Sequence, residues 1–379
     1  MTRRFITSAA CVAIAVMLAG CATPGIAPVA EPTQNASSTP TPQETADPTV
    51  PPANRFGLEC DSLVSASAII TLFDQPLAPG PGAASLNSWR DALVADTALV
   101  CRWGEGPYLD GYGTSIDIIA GSSGPESLDT LAALDRPEIH RPTRVDGIGE
   151  SAWNSCSDAS DDVSGIRFSC TWTIEVNGTW IYISLNGIPA SEVDLGTNRD
   201  ELGRLVVSSH PGSSSEQLVS EVATKIGTAA VHSIPAALGI MPDCESLFDW
   251  EAISAEINLP LENVEAFGVD PSNPLLSAAV IGEISSTALT RQSVRHCNAS
   301  FRSADQYSHA WISVSAVPGA QWLEASGLWL GWRAQECYNY EGGPLCEMST
   351  FTDTAAVNIS ASGHERDDIA ALALAHFNG

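Results

Sequence analysis

The chain has 379 residues, with 45 acidic against 17 basic side chains and a formal charge of −28. So acidic a surface is repelled by nucleic-acid phosphates and by anionic lipid headgroups, which excludes nucleic acid as a partner. Cationic, neutral or carbohydrate-like partners remain open, and the acidity also serves solubility.

The N-terminus carries Arg3 and Arg4, an apolar run from Ala9 to Leu18, and then Ala19-Gly20-Cys21. A charged front, a short apolar stretch and small residues before a cut form a signal-peptide pattern. The run is too short to cross ~30 Å of hydrocarbon, which takes about 20 apolar residues. Leu18-Ala19-Gly20-Cys21 resembles the lipobox of bacterial lipoproteins, and an ordinary secretory signal would not need the cysteine. The resemblance implies cleavage after residue 20 and a diacylglyceryl group on the Cys21 sulfur. Two acyl chains hold stably where one holds marginally. The implied partner is the lipid bilayer, through acylated Cys21 on the extracytoplasmic face of the cell membrane.

Residues 21–54 read as a lipidated cysteine followed by a tether: eight of residues 22–54 are proline, and Ala, Thr, Ser and Glu make up most of the rest. Such a stretch buries too little apolar surface to offset its ordering entropy. Fully extended, it reaches about 100 Å.

From about Arg55 the sequence reads as two copies of one unit, over residues 55–235 and 236–379. Copy one opens Cys60-Asp61-Ser62-Leu63 and copy two Cys244-Glu245-Ser246-Leu247, each followed by a helical pattern. After Cys101 and after Cys297, alternating apolar residues fall at matching offsets: Ile116, Ile118, Ala120 and Ile312, Val314, Ala316. Period-two matches of this kind predict the same strand with the same buried face. Asn177-Gly178 between alternating runs is a strong hairpin signal, and Asp353-Thr354 sits at the same offset from Cys346. A terminal helix is predicted for each copy, Ser215–Val231 and about Glu365–Phe377. The fold class is α+β: two homologous domains, each an antiparallel sheet with packed helices and two disulfides.

Of ten cysteines, Cys11 leaves with the signal peptide and Cys21 takes the lipid. The remaining even number, Cys60, Cys101, Cys156, Cys170, Cys244, Cys297, Cys337 and Cys346, reads as disulfides in an exported chain. Four cysteines per domain allow three connectivities. The preferred one joins Cys60–Cys101, Cys156–Cys170, Cys244–Cys297 and Cys337–Cys346. No C-x-x-C occurs, which argues against a zinc ribbon.

The hairpin register places Thr173, Glu175, Trp180 and Tyr182 on the face opposite the core. Two aromatics beside a carboxylate form a candidate stacking platform for a sugar ring or a cation. A covering helix or the second domain is the plainer reading. Asp158, Asp161 and Asp162 invite a calcium hypothesis, but their spacing departs from an EF-hand loop. Neither G-x-S-x-G, S-x-x-K, H-E-x-x-H nor a P-loop occurs, and the seven histidines are scattered. The expectation is therefore a non-enzyme without cofactor or metal.

Cys60-Asp61-Ser62-Leu63, Cys101-Arg102-Trp103 and the stretch Val145-Asp146-Gly147-Ile148-Gly149-Glu150-Ser151-Ala152-Trp153 together resemble actinobacterial cell-envelope lipoproteins of unknown function. The likeness extends to extracellular sensor domains of actinobacterial receptor kinases. Copy two departs from it, because Asn298-Ala299 follow Cys297. The expected function is a membrane-anchored extracytoplasmic binding or interaction module, with an envelope glycan, lipid or protein as ligand. The alternatives are an envelope hydrolase or transferase with a dispersed site, and a structural cell-wall spacer.

Overall fold

The computed structural model describes residues 52–80, 88–104, 113–124, 127–134, 142–158, 167–199, 205–234, 237, 239–266, 276–304, 308–320, 322–325, 336–340, 343–362 and 368–379. Cys21, the tether as far as residue 51 and the acidic loop with Asp161 and Asp162 lie outside them.

The first half opens with α1 (Cys60–Leu63) and α2 (Ala66–Phe73), followed by β1 (Ala78–Pro79), α3 (Ser88–Ala95), β2 (Leu99–Gly104) and β3 (Ser115–Ser122). Next come α4 (Leu128–Leu134), β4 (Thr143–Arg144), β5 (Ser151–Asp158), β6 (Arg167–Val176) and β7 (Thr179–Pro189). A separate hairpin of β8 (Val193–Arg199) and β9 (Leu205–Pro211) leads into α5 (Ser213–Thr228). The second half repeats the plan with α6 (Cys244–Leu247), α7 (Trp250–Ile257), β10 (Leu261–Ala266), α8 (Leu276–Arg291) and β11 (Arg295–Arg302). It continues through β12 (His309–Pro318), α9 (Trp322–Ala325), β13 (Glu336–Tyr340), β14 (Gly343–Phe351), β15 (Ala355–Ser362) and α10 (Ile369–Ala375).

Two antiparallel sheets result, ordered β1-β2-β3-β7-β6-β5-β4 and β10-β11-β12-β15-β14-β13. The local reasons repeat as well. Ser65 caps α2 by accepting from the Ala68 N–H, and Asp249 caps α7 by accepting from the Ala252 N–H. Both helices end in a left-handed residue, Asp74 (φ 58°) and Asn258 (φ 55°), while extended residues, Val64 (φ −122°) and Phe248 (φ −135°), separate them from α1 and α6. Asn177 (φ 49°) and Gly178 (φ 69°) form the two-residue turn that sets the β6–β7 register, with Val176 opposite Thr179 and Cys170 opposite Leu185.

Four disulfides join Cys60–Cys101, Cys156–Cys170, Cys244–Cys297 and Cys337–Cys346. In each half one bond ties the opening helix to the strand after α3 or α8, with the same Cα separation of 5.5 Å. The other joins directly opposed residues of neighbouring strands, at 4.1 Å in both cases.

Each sheet buries its inner face under its own outer helices. Ile116, Ile118, Trp172 and Ile183 pack against Leu63, Leu72 and Val219 in the first half. Ile312, Val314 and Ile359 pack against Leu247, Ile253 and Ile369 in the second. A third core lies between the halves, where Leu93 of α3 and Val280, Ile284 and Ala288 of α8 pack among Ile119, Trp180, Val317 and Ala356 of the two sheets. Helix α3 meets α8 and β12, and α8 in return meets β3, β6 and β7.

Candidate functional site

The face offered as a candidate aromatic platform has the predicted register, with Glu175 opposite Trp180 and Thr173 opposite Tyr182. It is not open. Trp180 is fully buried in the core between the halves, Tyr182 packs against that core, and Thr173 is 2% exposed. Helix α8 comes down on β3 so closely that a Cβ on Gly121 would collide with Ile284, and Gly121 is the cross-strand neighbour of Trp180. The candidate platform is thus corrected to interior packing, and the plainer reading holds: α8, a helix of the other half, covers this face. Trp180 Nε1, Thr173 Oγ1 and Ser285 Oγ are buried there without hydrogen-bond partners.

The equivalent face of the second sheet is only partly covered. Its rows run from apolar to polar along the strands. Val317, Ala356 and Phe351 lie under the other half. Farther along come Ser315, Asn358 and Ser349, with Asn358 Nδ2 donating to Ser349 Oγ at 2.8 Å. Next is a lateral row across five strands, Glu265, Asn298, Ser313, Ser360 and Glu347. Trp311 follows, opposite Ser300 on one side and Ser362 on the other, and is 39% exposed.

A shallow groove of about 440 Å³ lies at the β10–β11–β12 end of this face, lined by Glu265, His296, Asn298, Ser300, Trp311 and Ser313. That volume falls within the ~300–1,000 Å³ of small-ligand sites. Alternation places these side chains here: Cys297, Ala299 and Phe301 of β11, and Ala310, Ile312 and Val314 of β12, fill the inner core, so their neighbours must face outward.

His296 Nε2 lies 3.2 Å from Ser313 Oγ, and burial pushes the imidazole below its ordinary pKa. The groove therefore presents a neutral ring at neutral pH. Arg302 at its rim is engaged by Glu262 at 3.2 Å, while Glu265, among the described residues, accepts a 3.3 Å hydrogen bond from Asn263 Nδ2. The sum is a weakly acidic groove of hydroxyl, amide, imidazole and carboxylate groups around one exposed indole. In the first half the same places are sealed. Asp117 stands for Ser313 and pairs with Arg102 at 3.5 Å, with both side chains largely buried. Ser115 stands for Trp311 and accepts from Asn186 Nδ2 at 3.1 Å.

Among the described residues, no group of three or more His, Cys, Asp or Glu side chains is placed to hold a metal ion. No described helix is long and apolar enough to cross a membrane. Sequence reasoning missed His296, Asn298, Trp311 and Ser313 as a group. Their signal was present as the polar half of the same alternation that located Ile312 and Val314.

No family model matches the chain, and no curated protein matches it. A MucB chain from a crystal structure in complex with MucA(peri) is similar at 12% identity, over 70% of this chain and 78% of that chain, with a TM-score of 0.13. A score that low supports no conclusion on fold or partner.

Proposed function

We propose that this chain is a lipid-anchored, extracytoplasmic binding module of the cell envelope, holding its ligand on the outer face of the second sheet. The carrying observation is the asymmetry between the two sheets. The same face is closed by an ion pair and hydrogen bonds in the first half and left as a groove beside an exposed tryptophan in the second. Four disulfides fit an oxidising compartment, and the lipobox-like Cys21 supplies the anchor. Metabolic labelling with a palmitate analogue tests the placement: label on the native chain and none on Cys21→Ala is the expected result. A native chain that stays unlabelled defeats it.

A second reading is a hydrolase, favoured by the Ser313–His296 contact, since a serine within reach of a neutral imidazole is the minimal activated nucleophile. Against it, Ser313 lies mid-strand, where the ladder between β11, β12 and β15 occupies the backbone N–H groups that an oxyanion hole would need. Covalent labelling of Ser313 by a fluorophosphonate, abolished in His296→Ala, would favour hydrolysis over binding.

A further inference from the structure

We infer that the groove on the second sheet binds an uncharged carbohydrate, one sugar ring lying on the Trp311 indole and its hydroxyls meeting Asn298, Ser300, Ser313 and Glu265. This rests on the binding reading above and names its ligand class.

The geometry supplies both halves of sugar chemistry. A pyranose has an apolar C–H face and a rim of hydroxyls, each of which donates and accepts. Trp311 offers a flat apolar surface at the groove wall, and Ser300 stands directly opposite it on β11. Beside them runs the lateral row Glu265, Asn298, Ser313, stepped by the strand spacing of ~4.8 Å, which is about the width of a sugar ring. The Asn298 amide donates and accepts, the serine hydroxyls do both, and the Glu265 carboxylate accepts. Such groups answer a ring of hydroxyls without a net charge.

Charge decides against anionic ligands of similar size. The groove has Glu265 and a neutral His296, and its rim cation Arg302 is already engaged by Glu262. A phosphate, sulfate or uronate would meet no uncommitted cation among the described groove residues and would face a chain of formal charge −28. A protein surface is the weaker fit. A protein interface has an apolar core ringed by polar groups, whereas Trp311 is the one large exposed apolar side chain among the groove's lining residues.

The full chain is screened on an array of neutral, acidic and amino-sugar glycans, and the neutral oligosaccharides that bind are titrated calorimetrically. Neutral glycans are expected to bind and acidic ones to be excluded. Trp311→Ala is expected to weaken binding by ~tenfold or more, and Asn298→Ala by a smaller factor. Because Trp311 is partly exposed and outside the cores, its variant should keep the native melting temperature. A native chain that binds no neutral glycan, or a folded Trp311→Ala that binds equally well, overturns the inference. Binding of acidic or amino-sugar glycans alone, lost in Trp311→Ala, overturns the ligand class and leaves the binding reading standing, whereas a chain that binds no glycan at all counts against both; palmitate labelling of Cys21 reads the anchoring separately.

Discussion

Histidine 296 is held neutral by burial, and that has a consequence for stability. The folded pKa lies below the unfolded value of about 6.5, so the unfolded chain binds the proton more readily. The residue's contribution is complete above about pH 6.5 and is lost as pH falls toward its depressed folded value. The melting temperature should therefore drop between pH 7.5 and 5.5, and His296→Gln should flatten part of that drop when the two are compared across the same buffers. Glycine 149 is constrained differently. It sits at φ +61°, and a Cβ there would lie 2.5 Å from the Glu175 carbonyl oxygen. Gly149→Ala should cost at least ~1–2 kcal/mol, read as a lowered thermal midpoint. The sequence singled out this stretch by resemblance alone; the structure supplies the cause, a turn lying directly over β6.

Among elements, the strands were legible and the central helices were not. Alternation identified the buried faces around Ile118 and Val314, and the Asn177-Gly178 pair set the register of β6 and β7. Helix α8 gives no comparable signal. Its buried residues Val280, Ile284 and Ala288 show one apolar stripe, but a stripe does not say which sheet it will cover. For the same reason the sequence leaves the face with Trp180 and Tyr182 open to two readings, a stacking platform or the plainer covered surface: periodicity reports that a face is apolar enough to be buried, not what buries it. The end of α8 makes a second tie. Arg291 Nη1 contacts Asp96 at 2.8 and 3.1 Å, and Gln292 Nε2 reaches the same carboxylate at 3.2 Å. Burial pushes the Asp96 pKa up while Gln292, Arg291 and Arg55 pull it down. Arg291→Ala leaves that buried carboxylate short of its nearest cation and should cost about 3–5 kcal/mol in denaturant unfolding. Gly121→Ala should destabilise the same contact by ~1–3 kcal/mol through overpacking against Ile284.

At the scale of the molecule, three cores rather than two hold the chain together, and the middle one belongs to neither half alone. Asp96 and Gln292 occupy the same place in their halves. Each follows α3 or α8 directly and precedes a left-handed residue, Thr97 (φ 59°) or Ser293 (φ 55°), on the way to Cys101 or Cys297. They touch each other across the junction. Two copies of the first half meeting in this way would set carboxylate against carboxylate in a buried place, which is repulsive. Two copies of the second would have no anion for either Arg291. The junction therefore recognises unlike partners and rejects like ones, although the halves share one plan. Produced as separate polypeptides, residues 55–235 and 236–379 should reassemble one-to-one in preference to self-pairing, which analytical ultracentrifugation of the mixture would read directly.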